Sequence, residues 1–124
     1  MSDWHVLVVE DDPDGQEVVT RILRHHRITT DVASTAEEAL TLLAKTRYDL
    51  AVIDLALPTM NGWALLENIR GSAKLVGMPC VAVTAFHSAE VAVEAIQAGF
   101  AAYFPKPLEA TSFVRELQRI GGQP

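Results

Sequence analysis

Short apolar runs alternate five times with longer stretches of helical period along the chain. The apolar runs are HVLVVE (5–10), TTDVA (29–33), DLAVID (49–54), PCVAVT (79–84) and AAYF (101–104). The first, third and fourth are nearly unbroken, which is the pattern of strands covered on both faces in a parallel sheet. TTDVA is more polar and predicts an edge strand. Between the runs, apolar residues recur at helical spacing. The stripes are Val18, Val19, Ile22 and Leu23, then Ala36, Ala39, Leu40 and Leu43, then Leu65, Leu66 and Ile69. Two more follow, one of Val91, Ala92, Ala95 and Ile96 and one of Phe113, Leu117 and Ile120.

Start and stop signals agree with these stripes. Asp12 before Pro13 predicts an N-cap followed by a first-turn proline. Ser34 or Thr35 caps the second helix, and TAEE offers a capping box from Thr35 to Glu38. Gly99 closes the fourth helix and Gly121-Gly122 the fifth. Regular strand–helix alternation predicts an α/β fold, with a parallel sheet, helices on both faces and right-handed crossovers. Such sheets bind ligands beyond the carboxyl ends of their strands.

The size of the chain, 124 residues, predicts a single domain over 1–124, with a core from about residue 5 to 120 and 121–124 as a tail or the start of a linker. Hydrophobic residues make up 49%, enough for a substantial core. The formal net charge of −6 argues against nucleic acid or an anionic membrane as a partner bound through a broad basic surface. Cys80 is the only cysteine and lies in an apolar run, so a buried, inert thiol is expected and a disulfide is not. No run approaches the roughly 18 apolar residues of a membrane span, and no signal peptide is visible, so a soluble cytoplasmic location is expected.

The strand ends carry the chemistry. The first run ends in Glu10 and Asp11, the third in Asp54, and the fourth in Thr84; the fifth is followed by PKPL with Lys106 between prolines. Convergence of these ends would bring three carboxylates, a hydroxyl and an ammonium into one crevice. Crowded carboxylates raise one another's pKa unless a cation sits among them. A hard divalent cation with oxygen ligands answers that need, and Mg²⁺ suits one or two carboxylates plus water and phosphate. Asp12 is then left for capping and Asp14 for the first helical turn.

Taken in order, VLVVEDDP, DLAVIDLALPTMNG, VAVTA and GFAAYFPKPL resemble the receiver domain of two-component response regulators, from about Val6 to Leu117. The resemblance implies a flavodoxin-like (βα)5 sheet of order 2-1-3-4-5. It implies Asp54 as the phosphoacceptor, supplied by a sensor histidine kinase or a histidine phosphotransfer protein. Mg²⁺ would be held by Asp11, Asp54 and the backbone carbonyl of Ala56, with Glu10 acting through a bound water. Thr84 would hydrogen-bond a phosphoryl oxygen and Lys106 would pair with another. Tyr103 matches the aromatic switch residue, and the Lys106–Pro107 bond is usually cis in this family. The usual readout face would run over about 88–98, 101–104 and 108–120, for an unidentified downstream protein or output domain or a phosphorylation-dependent homodimer.

Departures from the family pattern are modest. Phe100 and Ala102 replace a common small and a common acidic residue, which predicts a more apolar surface beside the fifth strand. Ala56 and Phe86, each two positions beyond a key residue, are expected to lengthen the life of the phosphorylated state. A Mg²⁺-dependent phosphatase with an aspartyl-phosphate intermediate would need an acid at Ala56 and is disfavoured, as is a dinucleotide-binding domain without G-x-G-x-x-G. A receiver-like interaction module that never carries phosphate is the remaining alternative. His25 and His26 suit a helix carboxyl end, His5 and His87 show no evident partner, and Trp63 is read as packing.

Overall fold

A computed structural model describes residues 3–121; Gly122, the second half of the expected closing pair, lies outside them. The chain runs β1 (His5–Val9), α1 (Pro13–His25), β2 (Thr29–Ala33), α2 (Ala36–Lys45), β3 (Leu50–Asp54) and α3 (Gly62–Arg70). It continues through β4 (Cys80–Thr84), α4 (Ala89–Ala98), β5 (Ala102–Pro105) and α5 (Ala110–Ile120). The five strands are all parallel in the order β2-β1-β3-β4-β5, the flavodoxin-like topology. The polar second run is an edge strand, as its pattern predicts. Every strand lies within one residue of its predicted bounds.

Alternating side chains send each strand into two cores. Leu7, Val9, Ala51, Ile53, Cys80 and Ala82 pack under α2 and α3, with Ala95 of α4. Val6, Val8, Leu50, Val52, Val81 and Val83 pack under α1 and α5, where Phe113 and Phe104 meet edge to face at 4.8 Å. Trp4, which the periodicity leaves unmarked, joins this second core beneath the end of α5. A Cβ on Gly121 would fall 2.0 Å from its indole. Cys80 is fully buried, as expected, and burial pushes its thiol up to about 11.

The caps form largely as read. Asp12 Oδ2 accepts the Gly15 N–H at 3.2 Å, and Thr35 Oγ1 accepts that of Glu38 at 3.0 Å. The box closes one residue early, because Glu38 Oε1 accepts the N–H of Ser34, at 2.6 Å, instead of that of Thr35. Gly99 ends α4 at φ +116°, a left-handed conformation that glycine adopts without strain.

Four expectations need correction. Val18 is 43% exposed, because the buried stripe of α1 runs through Val19 and Leu23. Ile96 is 52% exposed, because α4 turns Ala95 to the sheet. Phe100 and Ala102 are buried, the first edge-on to Trp63 at 6.0 Å, so neither adds apolar surface beside β5. His5 and His87 both have partners. His5 Nε2 lies at ion-pair distance, 2.9 Å, from Asp31 Oδ2 without the geometry of a hydrogen bond, and that oxygen accepts the Tyr48 hydroxyl at 2.6 Å. Burial, then the Asp31 carboxylate, pushes the Tyr48 phenol up to about 12. His87 Nδ1 lies 2.9 Å from the Tyr103 hydroxyl.

Candidate functional site

The parallel register places the carboxyl ends of β1, β3, β4 and β5 side by side. Val9 pairs with Ile53, Asp54 with Val83, and Thr84 with Pro105. Residues just past or at those ends are therefore neighbours: Glu10 and Asp11, Asp54, Thr84 and Lys106. Two backbone features fix the loops around them. A Cβ on Gly62 would sit 2.5 Å from the Asp54 carbonyl oxygen, so glycine lets α3 begin against the end of β3. Thr59, in the same loop, is held at φ +64°, a strained region for a β-branched residue.

Asp54 is 5% exposed and Glu10 1% exposed. Asp54 Oδ1 accepts the N–H of Ala56 at 2.9 Å, and Oδ2 accepts from Lys106 Nζ at 3.1 Å. Lys106 Nζ also donates to Glu10 Oε1, while Glu10 Oε2 accepts the N–H of Asp12 at 3.2 Å. The Lys106 N–H donates to the Thr84 carbonyl at 2.8 Å, tying β5's exit to β4, and the Lys106–Pro107 bond is cis. Asp11 stands exposed at the rim.

Burial pushes the Glu10 carboxyl up, and the hydrogen bond from Lys106 only partly offsets this. Burial acts on Lys106 in the opposite sense, lowering its ammonium, but Glu10 and Asp54 outweigh it and hold the ammonium above its ordinary value. One ammonium thus serves two buried carboxylates, with a third at the rim. Carboxylate oxygens of Glu10, Asp11 and Asp54 all lie within 4.8 Å of one another. Such an oxygen-only set, richer in negative charge than its counter-charge, fits a hard divalent cation.

Thr84 is buried, and its Oγ1 accepts the N–H of Phe86 at 3.0 Å. Tyr103 is half-buried, and its hydroxyl lies 2.9 Å from His87 Nδ1 in the β4–α4 loop. The structure thus gathers Glu10, Asp54 and Lys106 into one bonded group with Asp11 beside it. Thr84 lies next to that group, and Tyr103 lies on the α4 face of β5, packed against the first core. Beside Thr84 a cavity of about 160 Å³ is lined by Leu55, Ala56, Trp63, Phe86 and Val91. Sequence reasoning missed His87, whose only signal is its place three residues after Thr84, and Gly15, which packs on Glu10.

Comparison with known proteins agrees with this geometry. The family model described as the response regulator receiver domain matches residues 6–118. The chemotaxis protein CheY-3 of Vibrio cholerae is 34% identical over 116 residues, covering 93% of this chain and 89% of that protein. The transcriptional regulatory protein CusR of Escherichia coli is 32% identical over 119 residues; the match covers 94% of this chain but 52% of CusR. Among solved structures, a putative response regulator from Chloroflexus aurantiacus superposes with a TM-score of 0.92 at 26% identity, covering 97% and 98% of the two chains. The receiver domain of the sensor histidine kinase PA1611 from Pseudomonas aeruginosa, with magnesium in its active-site cleft, gives 0.88 at 28% identity and the same coverage. With the strand order, the acidic strand ends and the family match in agreement, this chain belongs to the receiver domains of two-component response regulators.

Proposed function

We propose that this receiver domain accepts a phosphoryl group on Asp54 from a phosphohistidine of a sensor histidine kinase or histidine phosphotransfer protein. The observation that carries the reading is the Asp54 carboxylate itself. It is buried at the end of β3, one oxygen is fixed by the Ala56 N–H and the other by Lys106, and two further acids lie beside it. An Asp54 oxygen attacks phosphorus, the P–N bond to the donor imidazole breaks as the P–O bond forms, and the imidazole leaves. The domain is a signalling module that promotes its own phosphorylation and dephosphorylation.

The donor set fits Mg²⁺, held by Asp11, Asp54 and the Ala56 carbonyl, with Glu10 through water. Bound there, the ion supplies charge neutralisation at the phosphoryl oxygens. Lys106 moves its contact from the carboxylates to a phosphoryl oxygen, and Thr84 exchanges its bond with the Phe86 N–H for another. Tyr103 follows Thr84 inward, altering the face formed by α4, β5 and α5 that a downstream protein, an output domain or a second copy reads. Ala56 and Phe86 place no polar group over Asp54 to orient an attacking water, which favours a long-lived phosphorylated state. We take residues 1–124 as one receiver domain working in the cytoplasm.

Intact mass after incubation with acetyl phosphate and Mg²⁺ tests the reading. One added phosphoryl group in the wild type, absent in Asp54→Asn and abolished by chelating Mg²⁺, is expected. No gain from acetyl phosphate or from a phosphohistidine donor sinks it and leaves a phosphate-independent interaction module.

A further inference from the structure

Gly15 occupies the first turn of α1, where its own helix has no need of glycine. Gly99 is the one described glycine in the left-handed region, so Gly15 has a backbone that alanine adopts freely. Its N–H is already satisfied by Asp12. Alanine is also the better helix former, so the helix alone favours a side chain there. The need comes from below. A Cβ at position 15 would lie 2.6 Å from Glu10 Oε1, 2.7 Å from Cδ and 3.1 Å from Cγ. These are contacts with both the head and the stem of the side chain. A displaced Glu10 has little room, because it is 1% exposed and already bonded to Lys106 and the Asp12 N–H.

We propose that Gly15 is a positioning residue of the cation site: by omitting a side chain it allows an acid as long as glutamate to lie under α1 at position 10, and so sets where the third carboxylate faces Asp11 and Asp54. This rests on the reading of Glu10, Asp11 and Asp54 as a Mg²⁺ site. Aspartate at position 10 is shorter by one methylene: it lacks the atom at 2.6 Å, its carboxyl carbon takes the place of Glu10 Cγ at 3.1 Å from the Cβ of residue 15, and rotation of its carboxylate relieves the rest of the overlap. Glu10 and Gly15 therefore form one unit, and a side chain at 15 is compatible with aspartate at 10 but not with glutamate in its present position. The other glycines differ in kind. Gly62 makes room for backbone and Gly121 for an indole, whereas Gly15 makes room for a carboxylate of the site.

The test is a cycle of wild type, Gly15→Ala, Glu10→Asp and Glu10→Asp/Gly15→Ala, each titrated calorimetrically with MgCl₂ and melted without metal. Loss of an orienting contact around a metal ligand typically costs 10–100-fold in affinity, so Gly15→Ala is expected to bind Mg²⁺ about tenfold more weakly. In the aspartate background the same change should cost little affinity, and it should raise the melting temperature there while lowering it beside Glu10. A merely structural glycine would lower the melt in both backgrounds and leave affinity alone. Wild-type affinity in Gly15→Ala, or effects that simply add across the cycle, overturn the proposal while the cation site stands. No Mg²⁺ binding by the wild type overturns the cation-site reading and this inference with it.

Discussion

Helix α3 buries Gly62, Leu65, Leu66 and Ile69 against the sheet, whereas α4, one residue longer, buries Ala95 alone. Both helices cover the same core. The difference lies in which residues face inward. Leucines and an isoleucine on α3 enter the core with Ala51, Ile53, Cys80 and Ala82. On α4 the sheet side is mostly alanine, with Val91 partly buried, and Val93 and Ile96 point outward, 56% and 52% exposed. What holds α4 is concentrated at its ends. Ser88 Oγ accepts the Val91 N–H at 3.1 Å at one end. At the other, Gly99 turns the chain and its carbonyl accepts from Arg70 Nη2 at 3.2 Å. A helix with little buried area and few fixings sits at the low end of local stability. It lies directly after the loop that carries Thr84's neighbours, so it can shift without breaking the core that positions Asp54.

The sharpest way to break this contrast is to remove equal side chains from each helix. Leu66→Ala opens a cavity in a closed core and should cost about 2–5 kcal/mol. Ile96→Ala removes an outward side chain and should stay within about 0.5 kcal/mol. Denaturant midpoints at unchanged slope would measure both. Similar losses at the two positions would mean that α4 is packed as firmly as α3, and the contrast would fall.

Arg70 comes next in size. Its Nη1 donates to the carbonyls of Val76 at 3.2 Å and Met78 at 3.0 Å, and its Nη2 to that of Gly99, so one guanidinium joins the end of α3, the entry to β4 and the exit of α4. Arg70→Ala should cost about 1.5–3 kcal/mol, the range for hydrogen bonds to a charged group. Lysine should not restore it, lacking the planar fork that reaches separate carbonyls. Hydrogen exchange would show where the loss falls. Amides of Ala95–Gly99 should exchange faster, while those of Leu65 and Leu66 keep their protection. Unchanged exchange in α4 would show that its carboxyl end is held by packing on Phe100 instead.

Arg70 also marks the limit of what the sequence discloses. The strands were legible because parallel strands buried on both faces must be nearly all apolar, and the site acids because they stand where those strands stop. Arg70 binds backbone carbonyls, which every residue carries, so nothing in the sequence announces its partners. Val18 and Ile96 belong to apolar stripes wider than the buried face, and a stripe does not say which edge of itself turns inward. Ala102 is hidden by the register of β5, which a single run of four residues does not fix, and Phe100 by the turn after Gly99 that seats it against Trp63. His5 finds Asp31 and Tyr48 only because β1 lies between β2 and β3, a matter of topology and not of spacing. Gly99 and Gly121 cap α4 and α5 as their places after the helical stripes predict, yet Gly121 also makes room for Trp4, and Gly15, which carries no such signal, makes room for Glu10.

The smallest effect on stability is expected where the β4–α4 loop meets β5. The Tyr103 hydroxyl and His87 Nδ1 are 2.9 Å apart, with ring centroids at 5.6 Å. This contact spans the outer surface, so the bond competes with water and should contribute only about 0.5 kcal/mol. His87→Ala should therefore leave the melting temperature nearly unchanged. The consequence is local. His87 directly precedes the Ser88 cap of α4, so its bond to Tyr103 tethers the start of the less anchored helix to the edge strand. Without it, the Tyr103 ring resonances should shift and the amides of Phe86 and His87 should exchange faster, with α3 unaffected. A glutamine at 87 can still bond the hydroxyl and should restore part of the tether. If Tyr103 and the loop amides are indifferent to residue 87, the amino end of α4 is held by its serine cap alone, and Tyr103 is free to move without reference to the helix beside it.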